Sequence, residues 1–288
     1  SGHEPIDAVA KAVARLEGAW ALGIIIAPGR LVIARNGSPL VVRGEGGDVV
    51  VASDPAATMD VPGELRALDD GDIVEIGALD APGQWRWMRG DGSDQPREPI
   101  AESALSSLRA FAASAGRSAD EDRMGGEIAE QADVLDRMIA RLAPDVAGGT
   151  LWRDLGVALP ESVRFLACGS SYHASTAIAR TLSSVAGIPT AVVIASEFDP
   201  ALTAPADLTV AISQSGETAD LLRALDRSAG PVIGITNSPW SSLARRSDAV
   251  LDCAAGPEFG VAATKSFSSQ IALGVLLSLA IAKRAGRH

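Results

Sequence analysis

Between residues 163 and 253 the chain alternates short, mainly apolar runs with longer amphipathic stretches. The runs are Val163–Ala167, Thr190–Ile194, 208–212, Val232–Thr236 and 249–253. Each is short, rich in β-branched residues and without the polar alternation of a half-exposed strand, which is the pattern of strands buried on both faces. Helix-length segments separate them. Five buried parallel strands with helical crossovers predict an α/β fold, a doubly wound sheet flanked by helices.

The first eighty residues have a different texture. Ile6, Val9, Ala10, Val13 and Leu16 recur at helical spacing and stop at Gly18. Apolar runs follow at Trp20–Ala27, 30–35, 40–43, Asp48–Ala52, 65–68 and 72–76. Pro28-Gly29, Asn36-Gly37, Gly46-Gly47 and Asp70-Gly71 punctuate them, which is turn chemistry between antiparallel strands. From 81 to 123 Gly, Asp, Pro, Ser and Ala dominate, with Trp85 and Trp87 as isolated aromatics. This stretch reads as a linker carrying one helix near 103–113. A second helical pattern, Ile128, Ala132, Leu135 and Ile139, leads to Leu142. The expected division is 1–80, a linker over 81–123, and 124–288.

Composition narrows the function classes. The chain has 288 residues, 47% of them apolar and 21% charged, enough to bury two cores and too apolar for disorder. The uncharged run 271–282 falls short of the ~20 residues of a membrane span and predicts a buried helix. No basic segment precedes an apolar stretch at the N-terminus, so a cytoplasmic address is expected. A net charge of −11 argues against a nucleic-acid partner and leaves room only for a small, locally held anion. Cys168 and Cys253 offer neither a disulfide framework nor metal spacing, and the three histidines are His3, His173 and His288. A zinc enzyme or a Ser-His-Asp hydrolase is disfavoured, and neither metal nor cofactor is expected.

In an open parallel sheet, ligands bind beyond the carboxyl ends of the strands. Two hydroxyl-rich turns fall there, Cys168-Gly169-Ser170-Ser171-Tyr172-His173 and Ser213-Gln214-Ser215-Gly216-Glu217-Thr218. The second opens a helix, whose free N–H groups and positive dipole end attract a phosphate. It has neither the Gly-Lys-Ser/Thr ending of a P-loop nor the Gly-x-Gly-x-x-Gly of a dinucleotide site, so no nucleotide is implied. The competing reading is that Ser213, Ser215 and Thr218 only cap the helix. Ser170 and Ser171 on the neighbouring turn favour a two-loop phosphate site. His173, inside the first helical turn, could touch a ligand or simply face solvent.

These blocks, with Ala195-Ser196-Glu197-Phe198, 256–265 (Gly-Pro-Glu-Phe-Gly-Val-Ala-Ala-Thr-Lys) and 124–131 (Met-Gly-Gly-Glu-Ile-Ala-Glu-Gln), resemble the first sugar-isomerase (SIS) subdomain of the glucosamine-6-phosphate synthase family, the glutamine:fructose-6-phosphate amidotransferases. Residues 16–23, 34–40, 52–57 and 68–73 resemble the later half of that family's N-terminal-nucleophile glutaminase domain. The resemblance implies an SIS-type sheet preceded by a partial α+β domain. It also implies a hexose 6-phosphate ligand and a homodimer. By the same resemblance Ser171, Ser213, Gln214, Ser215 and Thr218 hold the phosphate, with Ser170 beside them, and the backbone at Val261 and Ala262 faces the sugar hydroxyls. Glu197, Glu217 and Glu258 lie near that rim, where a helix-terminal or salt-bridge role competes with positioning the sugar. Lys265 begins a helix and reads as packing rather than Schiff-base chemistry.

The chain departs from the family pattern at both ends. The family's glutaminase starts with a cysteine nucleophile, whereas this sequence starts Ser1-Gly2-His3. The family's catalytic glutamate, histidine and lysine come from a second SIS subdomain and tail, whereas this sequence stops at His288. The expectation is a truncated relative that binds hexose 6-phosphate without glutaminase or full isomerase activity. A non-catalytic sugar-phosphate sensor, and a single-SIS isomerase completed by homo-oligomerisation, stand as alternatives.

Overall fold

The computed structural model describes residues 4–45, 48–77, 85–100, 105, 123–258, 260 and 262–287. The chain forms two compact units, Ser1–Ala113 and Ser114–His288.

In the first unit α1 (Pro5–Val13) precedes seven strands: β1 (Trp20–Ala27), β2 (Arg30–Asn36), β3 (Val41–Glu45), β4 (Asp48–Ala52), β5 (Glu64–Ala67), β6 (Ile73–Ile76) and β7 (Trp85–Met88). They make two antiparallel sheets, β1-β2-β6-β7 and β4-β3-β5. α1 starts at a proline, which fits the first helical turn because its missing N–H has no intrahelical partner there. Its Ile6 and Val9 cluster with Val32, Ala34 and Ile73. The alternate residues Ile33, Val74 and Ile76 cluster with Leu40, Val42 and Leu68 of the second sheet. Both faces of β2 are therefore covered, which is why its sequence is nearly continuous in apolar residues. One expectation is corrected here. Trp85 and Trp87 are not isolated aromatics of a linker: they belong to β7, where Trp87 pairs with Val74 and is buried. The remainder of the expected linker, with its helix near 103–113, lies outside the described residues apart from 85–100 and Leu105.

The second unit begins with α2 (Arg123–Ala129), α3 (Gln131–Gly148) and α4 (Thr150–Asp154). Then β8 (Val163–Ala167), α5 (Gly169–Ala186), β9 (Thr190–Ile194), β10 (Leu208–Ser213), α6 (Ala219–Asp226), β11 (Val232–Thr236), α7 (Ser242–Arg246), β12 (Ala249–Asp252) and α8 (Lys265–Arg284) alternate, as the apolar pattern predicts. All five strands are parallel, in the order β12-β11-β10-β8-β9. Val163, Phe165 and Ala167 point to one face and pack with Val134, Met138, Ile178, Leu182, Leu273 and Leu277 of α3, α5 and α8. Leu166 and Ala211 point to the other, with Leu221, Leu222, Leu225 and Leu243 of α6 and α7.

α8 is longer than the run 271–282 indicates. Its 20 residues are apolar enough by length and composition to cross a membrane, yet 67% of its most apolar window is buried inside this unit. It is a core helix packed against α5 and α3. At Gly274 an added Cβ would run into the Ile178 side chain, so the absence of a side chain lets the two helices close on each other. The strand order places a switch point between β8 and β10, since successive connections leave these two strands toward opposite edges.

Candidate functional site at the switch point

β10 delivers Ser213, 3% exposed, to the rim of the sheet. The Ser213 Oγ accepts the Gly216 N–H at 2.9 Å and lies 2.9 Å from Thr218 Oγ1. Ser215 is exposed, and its Oγ accepts the Glu217 N–H at 3.2 Å. The Gln214 carbonyl accepts from the Asn237 N–H at 3.1 Å and from Thr236 Oγ1 at 3.2 Å, tying the turn to the end of β11. Gly216 sits at φ +67°, and a Cβ there would collide with Ser241, the residue that caps α7. Thr218 is the N-cap residue of α6 but makes no side-chain capping bond, so the first-turn N–H groups keep their donors directed outward. The hydroxyls that could have capped the helix are instead spent on shaping the turn.

The β8–α5 turn begins one strand away, because Ala167 pairs with Ile212 across a parallel spacing of about 4.8 Å. α5 likewise has no side-chain cap. Gly169 occupies φ +56° with open space where a Cβ would stand. Ser170 is exposed and Ser171 buried at 8% exposure. His173 is exposed, its ring set edge-on to Tyr172 with centroids 5.6 Å apart. Two uncapped helix N-termini thus start from adjacent strands, and each contributes partial positive charge without a lysine or arginine.

A third segment, running from β12 back to α8, completes the rim. Asn237 holds it, accepting the Ala255 N–H and donating to the Gly256 carbonyl, both at 2.8 Å. Glu258 caps α8: its carboxylate accepts the Thr264 N–H at 2.7 Å, Thr264 Oγ1 at 2.8 Å, the Ser266 N–H at 3.3 Å and the Ser266 hydroxyl. Burial pushes this carboxyl up, but those hydrogen bonds together outweigh it and hold it below the usual glutamate range. Glu217 works the same way at α7, accepting the Ser242 N–H at 2.7 Å, while its Oε2 is buried without a hydrogen-bond partner among the described residues. Lys265 is 3% exposed and donates to Glu130 Oε2 at 2.5 Å. Glu197 is exposed in the turn after β9, and Ala262 is exposed on the third segment. Val261 lies outside the described residues.

Sequence reasoning missed two residues of this rim. Asn237 bridges two strand ends, and Glu127 of α2, 5% exposed, accepts the Gly260 N–H at 3.0 and 3.3 Å and Thr264 Oγ1 at 3.4 Å. Glu127 lies in a segment noted only for its family resemblance. Among the described residues no group of three or more His, Cys, Asp or Glu is placed to hold a metal ion.

Residues 160–280 match the SIS domain family. Over nearly its whole length the chain is similar to glutamine–fructose-6-phosphate aminotransferases. It is 40% identical over 294 residues to the isomerizing enzyme of Pseudomonas putida, covering 97% of this chain and 46% of that protein. To the enzyme of Halobacterium salinarum it is 35% identical, covering 98% and 47%. A solved structure, the C-terminal domain of glucosamine-fructose-6-phosphate aminotransferase from Francisella tularensis, is similar at 32% identity and a TM-score of 0.52, over 59% of this chain and 50% of that one. The chain thus spans about half the length of the curated relatives it matches.

Proposed function

We propose that the second unit binds a hexose 6-phosphate at the switch point between β8 and β10. The reading rests above all on the 213–218 turn, where hydroxyls lie beside the uncapped N-terminus of α6. The phosphate is held by Ser171, Ser213, Ser215 and Thr218 hydroxyls and by Gln214, with Ser170 beside them. The helix-terminal N–H groups of α5 and α6 supply further donors. Hydrogen bonds to an anion are short and about twice as strong as neutral ones, so such a cradle works in a chain of net charge −11. The sugar extends toward the third segment, where the backbone at Ala262 meets its hydroxyls.

The homology adds the reaction class. For the protein that carries this chain we propose amino transfer from glutamine to fructose 6-phosphate with isomerisation, in the cytoplasm and as a homodimer. Within the chain itself Glu217, Glu258 and Lys265 are committed to helix starts and an ion pair, so their role is to shape the rim. The first unit is proposed as part of a glutaminase-like domain.

Calorimetric titration with fructose 6-phosphate and glucosamine 6-phosphate tests the binding claim. Ser215→Ala should weaken both, since a hydrogen bond to a charged group is worth about 1.5–3 kcal/mol, or roughly ten- to a hundred-fold. Absence of binding by the wild-type chain, or equal binding of the unphosphorylated sugars, would refute it. Turnover of fructose 6-phosphate by the isolated chain would instead favour a single-SIS isomerase.

A further inference from the structure

The far end of the third rim segment, at Gly260 and Thr264, is held from a distance by a buried carboxylate of α2. Glu127 reaches from α2 to accept the Gly260 N–H with both oxygens, at 3.0 and 3.3 Å, and Thr264 Oγ1 at 3.4 Å. Gly260 is shaped to receive it, because an added Cβ would stand 2.7 Å from Glu127 Oε2. Two more bonds fasten α8 to the start of α3: Lys265 Nζ to Glu130 Oε2 at 2.5 Å and Ser268 Oγ to Gln131 Oε1 at 2.7 Å. The 213–218 turn is supported by Thr236 and Ser241, and by the Asn237 N–H, whose side chain also holds Ala255 and Gly256. Asn237 thus joins the phosphate loop to the near end of the third segment, at Ala255 and Gly256, whereas Glu127 acts on its far end, at Gly260 and Thr264.

We propose that Glu127 is a positioning residue for sugar selectivity. By fixing Gly260 and Thr264 it sets the backbone on either side of Ala262, and so the fit to the sugar hydroxyls, while leaving the phosphate cradle intact. The proposal rests on the hexose-phosphate reading above. It predicts a split: losing the carboxylate weakens a sugar phosphate and spares inorganic phosphate.

The test is calorimetric titration of the 288-residue chain and its Glu127→Ala, Glu127→Gln and Gly260→Ala variants with glucosamine 6-phosphate and, separately, with inorganic phosphate. Glu127→Ala should bind the sugar phosphate at least about tenfold more weakly and inorganic phosphate within about twofold of wild type. Glu127→Gln should recover much of that loss, because its amide oxygen still accepts the Gly260 N–H. Gly260→Ala should reproduce the Glu127→Ala split with the carboxylate in place. Should Glu127→Ala fail to fold by circular dichroism, the other two variants decide. Equal loss of both ligands, unchanged sugar-phosphate binding in the folded variants, or a Gln variant no better than Ala overturns the proposal. A wild-type chain that binds inorganic phosphate but gains nothing from the sugar overturns it as well. A wild-type chain that binds neither ligand overturns the hexose-phosphate reading and this proposal with it.

Discussion

Gly216→Ala should damage the second unit far more than Gly169→Ala, although both glycines occupy the left-handed region, at φ +67° and +56°. An alanine in that region costs roughly 1–2 kcal/mol at either position. At Gly169 nothing stands within 4 Å of the new methyl, so the cost ends there. At Gly216 the methyl lands on Ser241 and 3.1 Å from Thr236 Oγ1. Relieving that overlap costs roughly 1–3 kcal/mol more. Moving Ser241 also removes its bond from the Ala244 N–H, the cap of α7, worth about 1 kcal/mol. The total for Gly216→Ala is roughly 3–6 kcal/mol, against roughly 1–2 for Gly169→Ala. At about 3 °C per kcal/mol for a unit of this size, melting should fall by about 9–18 °C and about 3–6 °C respectively. Scanning calorimetry of ligand-free protein measures both. Two variants melting within about 3 °C of each other would show that the turn is not packed against α7 as described.

Other substitutions test separate parts of the account. Glu258→Gln keeps one acceptor oxygen but loses the charge, and should destabilise the second unit by about 1–3 kcal/mol at neutral pH, read from urea midpoints. Because the folded carboxyl sits below the usual range, its stabilisation is fully present above the ordinary glutamate value near ~4.3 and is lost as pH falls through the folded value. The gap between wild type and Glu258→Gln should therefore close only in acid, and a gap constant down to strongly acidic pH would refute the capping role. In the first unit Asp72 is fully buried and accepts Arg97 Nε at 2.7 Å and a second guanidinium nitrogen at 2.8 Å. Arg97→Met removes the charge partner of that buried carboxylate, leaving it the Asp69 and Gly90 N–H groups, and should lower the first unit's stability by about 3 kcal/mol while leaving sugar-phosphate affinity unchanged. Ser171→Ala should weaken inorganic phosphate as well as the sugar phosphates, roughly tenfold in titration, whereas a loss confined to the sugar phosphates would move Ser171 out of the cradle.

What could be read from sequence follows from the range of the interactions that build each part. The three central strands of the second unit, β8, β10 and β11, were legible because both of their faces are buried, which leaves runs such as Val232–Thr236 almost free of polar residues. The hydroxyl-rich turns were legible because a turn and the helix it opens are local in sequence. β7 was not, since Trp-Arg-Trp-Met is a four-residue alternation set in Gly- and Pro-rich surroundings, and its partner β6 supplies the missing context. The start of α8 at Lys265 was read from the motif that precedes it, but its cap was not, because Glu258 lies six residues upstream of Thr264. Glu127 was invisible to any local pattern, because its partner Gly260 lies 133 residues away.

The central claim is that the 213–218 turn and the β8–α5 turn together hold a phosphate, and a structure of the chain with glucosamine 6-phosphate tests it most directly. The account predicts the phosphorus between the two turns, its oxygens within hydrogen-bond distance of Ser171, Ser213, Ser215 and Thr218, and the sugar toward Ala262. A phosphate seated away from the β8–β10 switch point, or a ligand held by lysine and arginine side chains, would contradict it.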